Sequence, residues 1–140
     1  MFNLKPYSAS LLTLAGIVLM GIGFYFVFLR PTLLPEDLRY IGPTLSVTDN
    51  NVPELSGWLK RVFWVMGGYI FTTGFLLAYI AVTSFRTRTH GALFVATIAG
   101  FTSIGFMTVV NFIIGSDFKW TLLALTFPWA ISLILYRLHK

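Results

Sequence analysis

Residues Ala9 to Leu29 read ASLLTLAGIVLMGIGFYFVFL, and no charged residue lies between Lys5 and Arg30. A helix rises about 1.5 Å per residue, so about 20 residues cross the hydrocarbon of a bilayer. This stretch is long enough to do so without interruption. It is too long for a signal-peptide core and shows no clear small-x-small cleavage site, so it reads as a retained helix. Three more uncharged runs follow, from Val62 to Phe85, Gly91 to Gly115 and Trp120 to Tyr136. The last is the shortest, and its flanking Lys119 and Arg137 are expected to snorkel. The expected fold is an all-α membrane protein, one transmembrane domain over residues 1–140. Four spans, at about 8–29, 62–85, 91–115 and 119–137, run up-down-up-down, with an extramembrane loop over about 30–61.

Composition agrees. The chain has 140 residues, 56% hydrophobic and 11% charged, where a soluble domain carries about 25% charged residues. Cysteine is absent, which removes disulfides, thiolate metal sites and thiol redox chemistry. The net charge of +5 does not point to nucleic acid, because the basic residues flank apolar runs and form no stripe. Anchoring at the membrane surface is the simpler account.

Four spans put both termini on one side with the turn Arg86-Thr-Arg-Thr-His-Gly91. That side holds Lys5, Arg86, Arg88, Arg137 and Lys140 and no acid, while the other holds Arg30, Arg39, Lys60, Arg61 and Lys119 with all five acids. The count of basic residues is a tie, and the wholly basic short turn decides for cytoplasmic termini, in a multi-pass protein of the bacterial inner membrane. Ala92, Ala96 and Gly100 lie four apart in the third span, and the second offers Gly68 with Thr72 and Gly74 with Ala78. Gly16, Gly21 and Gly23 lie in the first. Such residues let helix backbones approach closely, within one bundle or between copies of it.

The first loop begins RPTLLPEDLRYIG, residues 30–42. Pro35 suits the first helical position, and Glu36 and Asp37 then fall where the helix dipole favours negative charge. Leu34, Leu38, Ile41 and Leu45 follow helical spacing, and Gly42-Pro43 should stop the helix after two turns. A short amphipathic helix lying across the bundle mouth is expected, with Glu36, Asp37, Arg39 and Tyr40 as a candidate docking surface. Asn51-Val-Pro-Glu54 has the spacing of a capping box, so the second helix should start outside the hydrocarbon, with Trp58 and Trp64 at the interface. The carboxylates of this loop match no calcium-loop spacing, so no metal site and no cofactor is assigned.

No ionisable residue falls within a span, which argues against an ion path or proton relay and against an enzyme. Small multidrug transporters rely on a glutamate in their first helix, and haem-carrying bundles need buried histidines. Here the histidines, His90 and His139, lie in a loop and at the C-terminus. One weakly polar constellation remains: Tyr25, Tyr69, Thr72, Asn111 and Trp129 all count inward from the loop side. Pro128 leaves the Ala124 carbonyl without its helical donor, and Asn111 is placed to reach that region. The cluster reads either as interhelical polar glue at a kink or as a pocket for a quinone, sterol or lipid tail.

The layout of a first span, a long loop, GGYIFTTGFLLAY at 67–79, the Arg86/Arg88 turn and two more spans resembles small bacterial four-span proteins of the DoxX-like kind. That resemblance implies association with quinone-linked redox systems or membrane complexes, and it carries no catalytic residue across. The expected function is that of a non-catalytic accessory or assembly subunit, whose partners are the bilayer, other membrane subunits or further copies of itself. The alternative is an oligomeric binder or transporter of a small lipophilic ligand, quinone or lipid, through a pocket in the loop-side half of the bundle.

Overall fold

The computed structural model describes residues 5–41 and 52–138. Helix α1 (Lys5–Phe24) continues as a π-helical turn, Tyr25–Leu29, and a bend leads to α2 (Pro35–Ile41). Helix α3 (Val52–Ile80) ends in a π turn at Ala81–Phe85. The third span is α4 (Ala92–Gly100), a π turn at Phe101–Gly105 and α5 (Phe106–Ile113); α6 (Lys119–Leu138) closes the chain. Four segments, Tyr7–Leu29, Leu55–Phe85, Ala92–Ile113 and Lys119–Leu138, are long and apolar enough to cross a membrane. The protein is an all-helical, four-span bundle.

The 29 residues of α3 measure about 43 Å at 1.5 Å per residue, more than the roughly 30 Å of hydrocarbon. The helix therefore reaches beyond the apolar layer at its start. Asn51, and the expected turn over residues 44–50, lie outside the described residues. In the bundle, α1 touches both α3 and α6, α3 touches α4, and α5 returns to α6. Hydroxyls that would be stranded in lipid fold back on their own helices. Thr13, Thr73, Thr97, Thr102 and Thr126 each donate to the carbonyl four residues earlier, as Ser and Thr do where no water is at hand.

Glycine decides the α1–α3 seam. Gly16 faces Gly74 and Ala78, and Gly23 faces Gly67 and Phe71; a Cβ on Gly74 would lie 2.6 Å from the Gly16 oxygen and the Met20 nitrogen. The two pairs lie seven residues apart on each helix, so the antiparallel backbones stay in contact over two helical turns. A Cβ on Gly21 or Gly68 would meet open space. Gly68 with Thr72, expected as packing partners, thus form no seam, since neighbouring Gly67 occupies the contact.

The buried core gathers at the end of the bundle that carries the termini. Ala9, Leu12, Ala15 and Leu19 of α1 meet Leu77, Ala81 and Phe85 from α3 and its π turn, and Ala92 and Ala96 of α4. The Ser132 hydroxyl of α6 donates to the Ser8 carbonyl at 2.8 Å. At the same end Arg88 donates to the Tyr136 carbonyl at 3.2 Å and lies 4.6 Å from that ring's centroid. The basic turn therefore caps the end of α6, where a helix favours positive charge.

Candidate functional site

The other end is built differently. Ser116, fully buried in the turn between α5 and α6, donates through its hydroxyl to Glu36 Oε2 at 2.9 Å. The Asp117 N–H donates to the same oxygen at 2.8 Å. Gly115, at φ +67°, supplies the left-handed residue that makes this turn. The Ser116 N–H bonds the Asn111 carbonyl, and its hydroxyl accepts from the Phe118 N–H. Glu36 is 9% exposed. A carboxylate held by a hydroxyl and a backbone N–H is well satisfied, so it ties α2 to a turn eighty residues away.

Asp37 has two tasks. It accepts from the Leu34 N–H at 2.8 Å, the reaching-back half of a capping box, and from Arg30 at 3.0 Å. Arg30 is itself nine-tenths buried. Its guanidinium lies 3.7 Å from the Phe63 ring centroid and 5.4 Å from that of Phe26, and Nη1 donates to the Pro31 carbonyl at 3.1 Å. Stacking between aromatic faces compensates a cation for lost water. Arg39 pairs with Asp117, an exposed bridge worth about 0–1 kcal/mol. Together these contacts draw residues 30–40 and the α5–α6 turn into a collar over the bundle.

Beneath the collar lies a cavity of about 940 Å³, near the upper end of the roughly 300–1,000 Å³ typical of small-molecule sites. Its walls come from all four spans: Ile22, Tyr25 and Phe26; Phe63, Met66 and Ile70; Thr102, Ser103, Met107 and Asn111; Leu122 and Leu125. They are overwhelmingly apolar. The π turns at Tyr25–Leu29 and Phe101–Gly105 both contribute. Each inserts an extra residue into its helix, as when the Arg30 N–H reaches back five residues to the Tyr25 carbonyl at 2.8 Å. A second recess of about 570 Å³ runs from Arg61 along α3 and shares Met66, Ile70, Thr102 and Ser103 with the cavity. The gap between α3 and the third span therefore opens sideways.

The five residues expected around a pocket are divided by the structure. Tyr25 and Asn111 line the cavity. Tyr69, 73% exposed, faces out of the bundle and edges only the lateral recess, and Thr72 is also exposed. Trp129 does not line the cavity: its Nε1 donates to the Ala96 carbonyl at 2.9 Å, with the indole seated where a Gly100 side chain would be. Asn111 does not reach α6 either. Its Nδ2 donates to Met107 of its own helix at 2.8 Å, and the bridge between α5 and α6 is Thr108 with Thr126 at 3.0 Å.

Of the four expected docking residues, Glu36, Asp37 and Arg39 are engaged within the chain, while Tyr40 is 63% exposed. The helix α2 also lies otherwise than expected. Leu38 is exposed and Glu36 is buried, because the turn offers a carboxylate two donors and offers Leu38 no comparable partner. Ile41 and Leu45 fall outside the residues whose side chains are described. Arg30, Ser116 and Asp117 were not expected as parts of a site, and no local pattern marks them. The faint signal was a lone acid, Asp117, in the turn on the side that also carries Arg30 and Arg39.

No protein-family model, curated protein or solved structure matches this chain.

Proposed function

We propose that this chain holds a lipophilic molecule in the cavity beneath the collar, acting as a non-catalytic binder. The supporting observation is a cavity of about 940 Å³ with almost wholly apolar walls. Apolar cavities exclude water, and in lipid a bundle is held by van der Waals contact that unfilled space forfeits. A lipophile restores those contacts. The finer localisation belongs to the same reading: a bacterial inner membrane, with cytoplasmic termini on the strength of the Arg86/Arg88 turn. A quinone-linked role, implied by the DoxX-like resemblance, is compatible with it.

Gly21 offers the test. It borders the cavity, and a Cβ there meets open space, so Gly21→Trp sets an indole at the cavity wall without touching a helix seam. Wild-type protein purified in mild detergent and extracted into organic solvent should yield one lipophile enriched over bulk lipid. Gly21→Trp should lose that species while keeping its helical circular dichroism. Identical extracts from the two proteins would sink the reading.

A second reading, as accessory subunit of a membrane complex, is supported by the exposed Leu38 and Tyr40 on the collar. Under it, Leu38→Ser with Tyr40→Ala shifts the native-gel mobility of the protein extracted from its own membranes.

A further inference from the structure

The cavity walls also specify what kind of head group they can accept, and this inference rests on the binding reading above. Three charged residues border the cavity: Arg30, Glu36 and Asp37. Arg30 is the only cation among them, and it is already committed to Asp37, the Pro31 carbonyl and two aromatic faces. The cavity lining carries one positive and two negative groups, so it has no free cation for a phosphate or carboxylate and would repel one; Arg61 borders only the lateral recess. An anionic head group is disfavoured twice.

The neutral polar groups lie lower. Tyr25 is five residues inward of Arg30, and Asn111 is five residues inward of Ser116. The Arg30 N–H reaches back to the Tyr25 carbonyl and the Ser116 N–H to the Asn111 carbonyl, so each lies one turn below the collar. Asn111 uses its Nδ2 on Met107, which leaves the side-chain carbonyl as an acceptor with no partner among the described residues. The Tyr25 hydroxyl likewise has none there and can donate or accept. A hydroxyl on a guest donates to Asn111, and a hydroxyl or carbonyl accepts from Tyr25. Beyond that level, the opening between α3 and Thr102–Ser103 leads sideways along Met66 and Ile70 into the recess facing lipid.

We propose that the occupant is an uncharged amphiphile, its hydroxyl or carbonyl head lying against Tyr25 and Asn111 under the collar. Its tail leaves the bundle laterally between α3 and the π turn Phe101–Gly105. Arg30, Glu36 and Asp37 act as the lid and as the filter against anionic lipids.

The probe is a monoacylglycerol carrying a diazirine in its tail, added to the full-length protein in phosphatidylcholine nanodiscs, with crosslinked peptides mapped by mass spectrometry. Labels should fall on Met66, Ile70, Thr102 and Ser103. Monoolein should compete at least about tenfold more effectively than oleate or phosphatidylglycerol. Asn111→Leu should cut labelling about five- to tenfold, as expected for one lost hydrogen bond in an apolar site. Tyr25→Phe should cut it by a similar factor, and neither should change the background on lipid-facing Phe75. Equal competition by phosphatidylglycerol, or unchanged labelling in both variants, overturns the head-group assignment and leaves the cavity reading standing, provided that Gly21→Trp still abolishes the labels. If wild-type labelling of the cavity never exceeds that of Phe75, both fall.

Discussion

The two halves of this bundle use the same four helices to opposite ends. In the half that carries the termini, Ala9, Ala15, Ala81, Ala92 and Ala96 bring the backbones together, and Leu12, Leu19, Leu77 and Phe85 fill what remains. In the collar half the inward positions are Tyr25, Phe26, Phe63, Met66 and Met107, and they surround a cavity. Outside the Gly23–Gly67 contact, where α1 and α3 still touch, large side chains keep the helices apart there, and small ones draw them together at the other end. Helix association in lipid depends on this contact, because water drives nothing there. A half with bulky lining and two π turns is therefore free to stay open, provided something else holds its mouth. The collar does that, through Glu36, Arg30 and Asp37.

The contrast can be broken most severely at the glycine seam common to both halves. Gly74→Leu sets a side chain against the Gly16 oxygen and the Met20 nitrogen, both 2.6 Å from the first added atom. The seam cannot yield there without separating α1 from α3. We expect a loss of more than about 3 kcal/mol, read as a collapse of the unfolding midpoint in mixed detergent micelles; a midpoint within error of wild type would mean that α1 and α3 do not meet through this face.

Next comes the boundary between the halves. Gly100→Ala drives a methyl into the Trp129 indole and breaks its bond to Ala96. A cost of about 1–3 kcal/mol is expected, together with a shift in tryptophan emission. Trp129→Ala removes the colliding atoms, so the further cost of Gly100→Ala in that background should fall close to zero.

Opening the mouth should cost about as much but act locally. Glu36→Ala leaves the Ser116 hydroxyl and the Asp117 N–H without their acceptor, a penalty of about 1–3 kcal/mol. Hydrogen exchange should quicken at residues 34–41 and 115–118 and stay slow in the α1–α3 seam. Glu36→Gln, which keeps a carbonyl oxygen, should quicken it less. Uniform acceleration across all four spans would show that the collar is not a separate lid.

The smallest effect concerns the hydroxyl pair that joins α5 to α6 near the cavity, Thr108 with Thr126. A double-mutant cycle on Thr108→Val and Thr126→Val should give a coupling of about 0.6 kcal/mol, the usual worth of such a bond in a membrane bundle. A coupling near zero would mean that each hydroxyl is content with its own carbonyl, at Ile104 and Leu122.

Much of the architecture was legible in the linear chain because it is local. An uncharged run of more than 20 residues can only be a span. Pro35 with Glu36 and Asp37 can start a helix, and Gly42-Pro43 can stop one, so the short helix ending at Ile41 was also within reach. Small residues at helical spacing announced close packing. Their partners were another matter: Gly67 and Gly68 are adjacent, and only the rotation of α3 against α1 selects the first.

The candidate site was legible only in part, for the same reason. Tyr25 and Asn111 reach the cavity, whereas Tyr69, Thr72 and Trp129, placed by the same inward count, do not line it, because depth along a helix says nothing of the direction in which a side chain points. Spans, turns and the start of the loop helix follow from hydropathy and backbone stereochemistry within a few residues, and for these the sequence alone sufficed. The cavity, its lateral opening and the grip of Glu36 on Ser116 and Asp117 depend on helix rotation and on contacts eighty residues apart. Only tertiary packing, which trades one helix face against another, decided them.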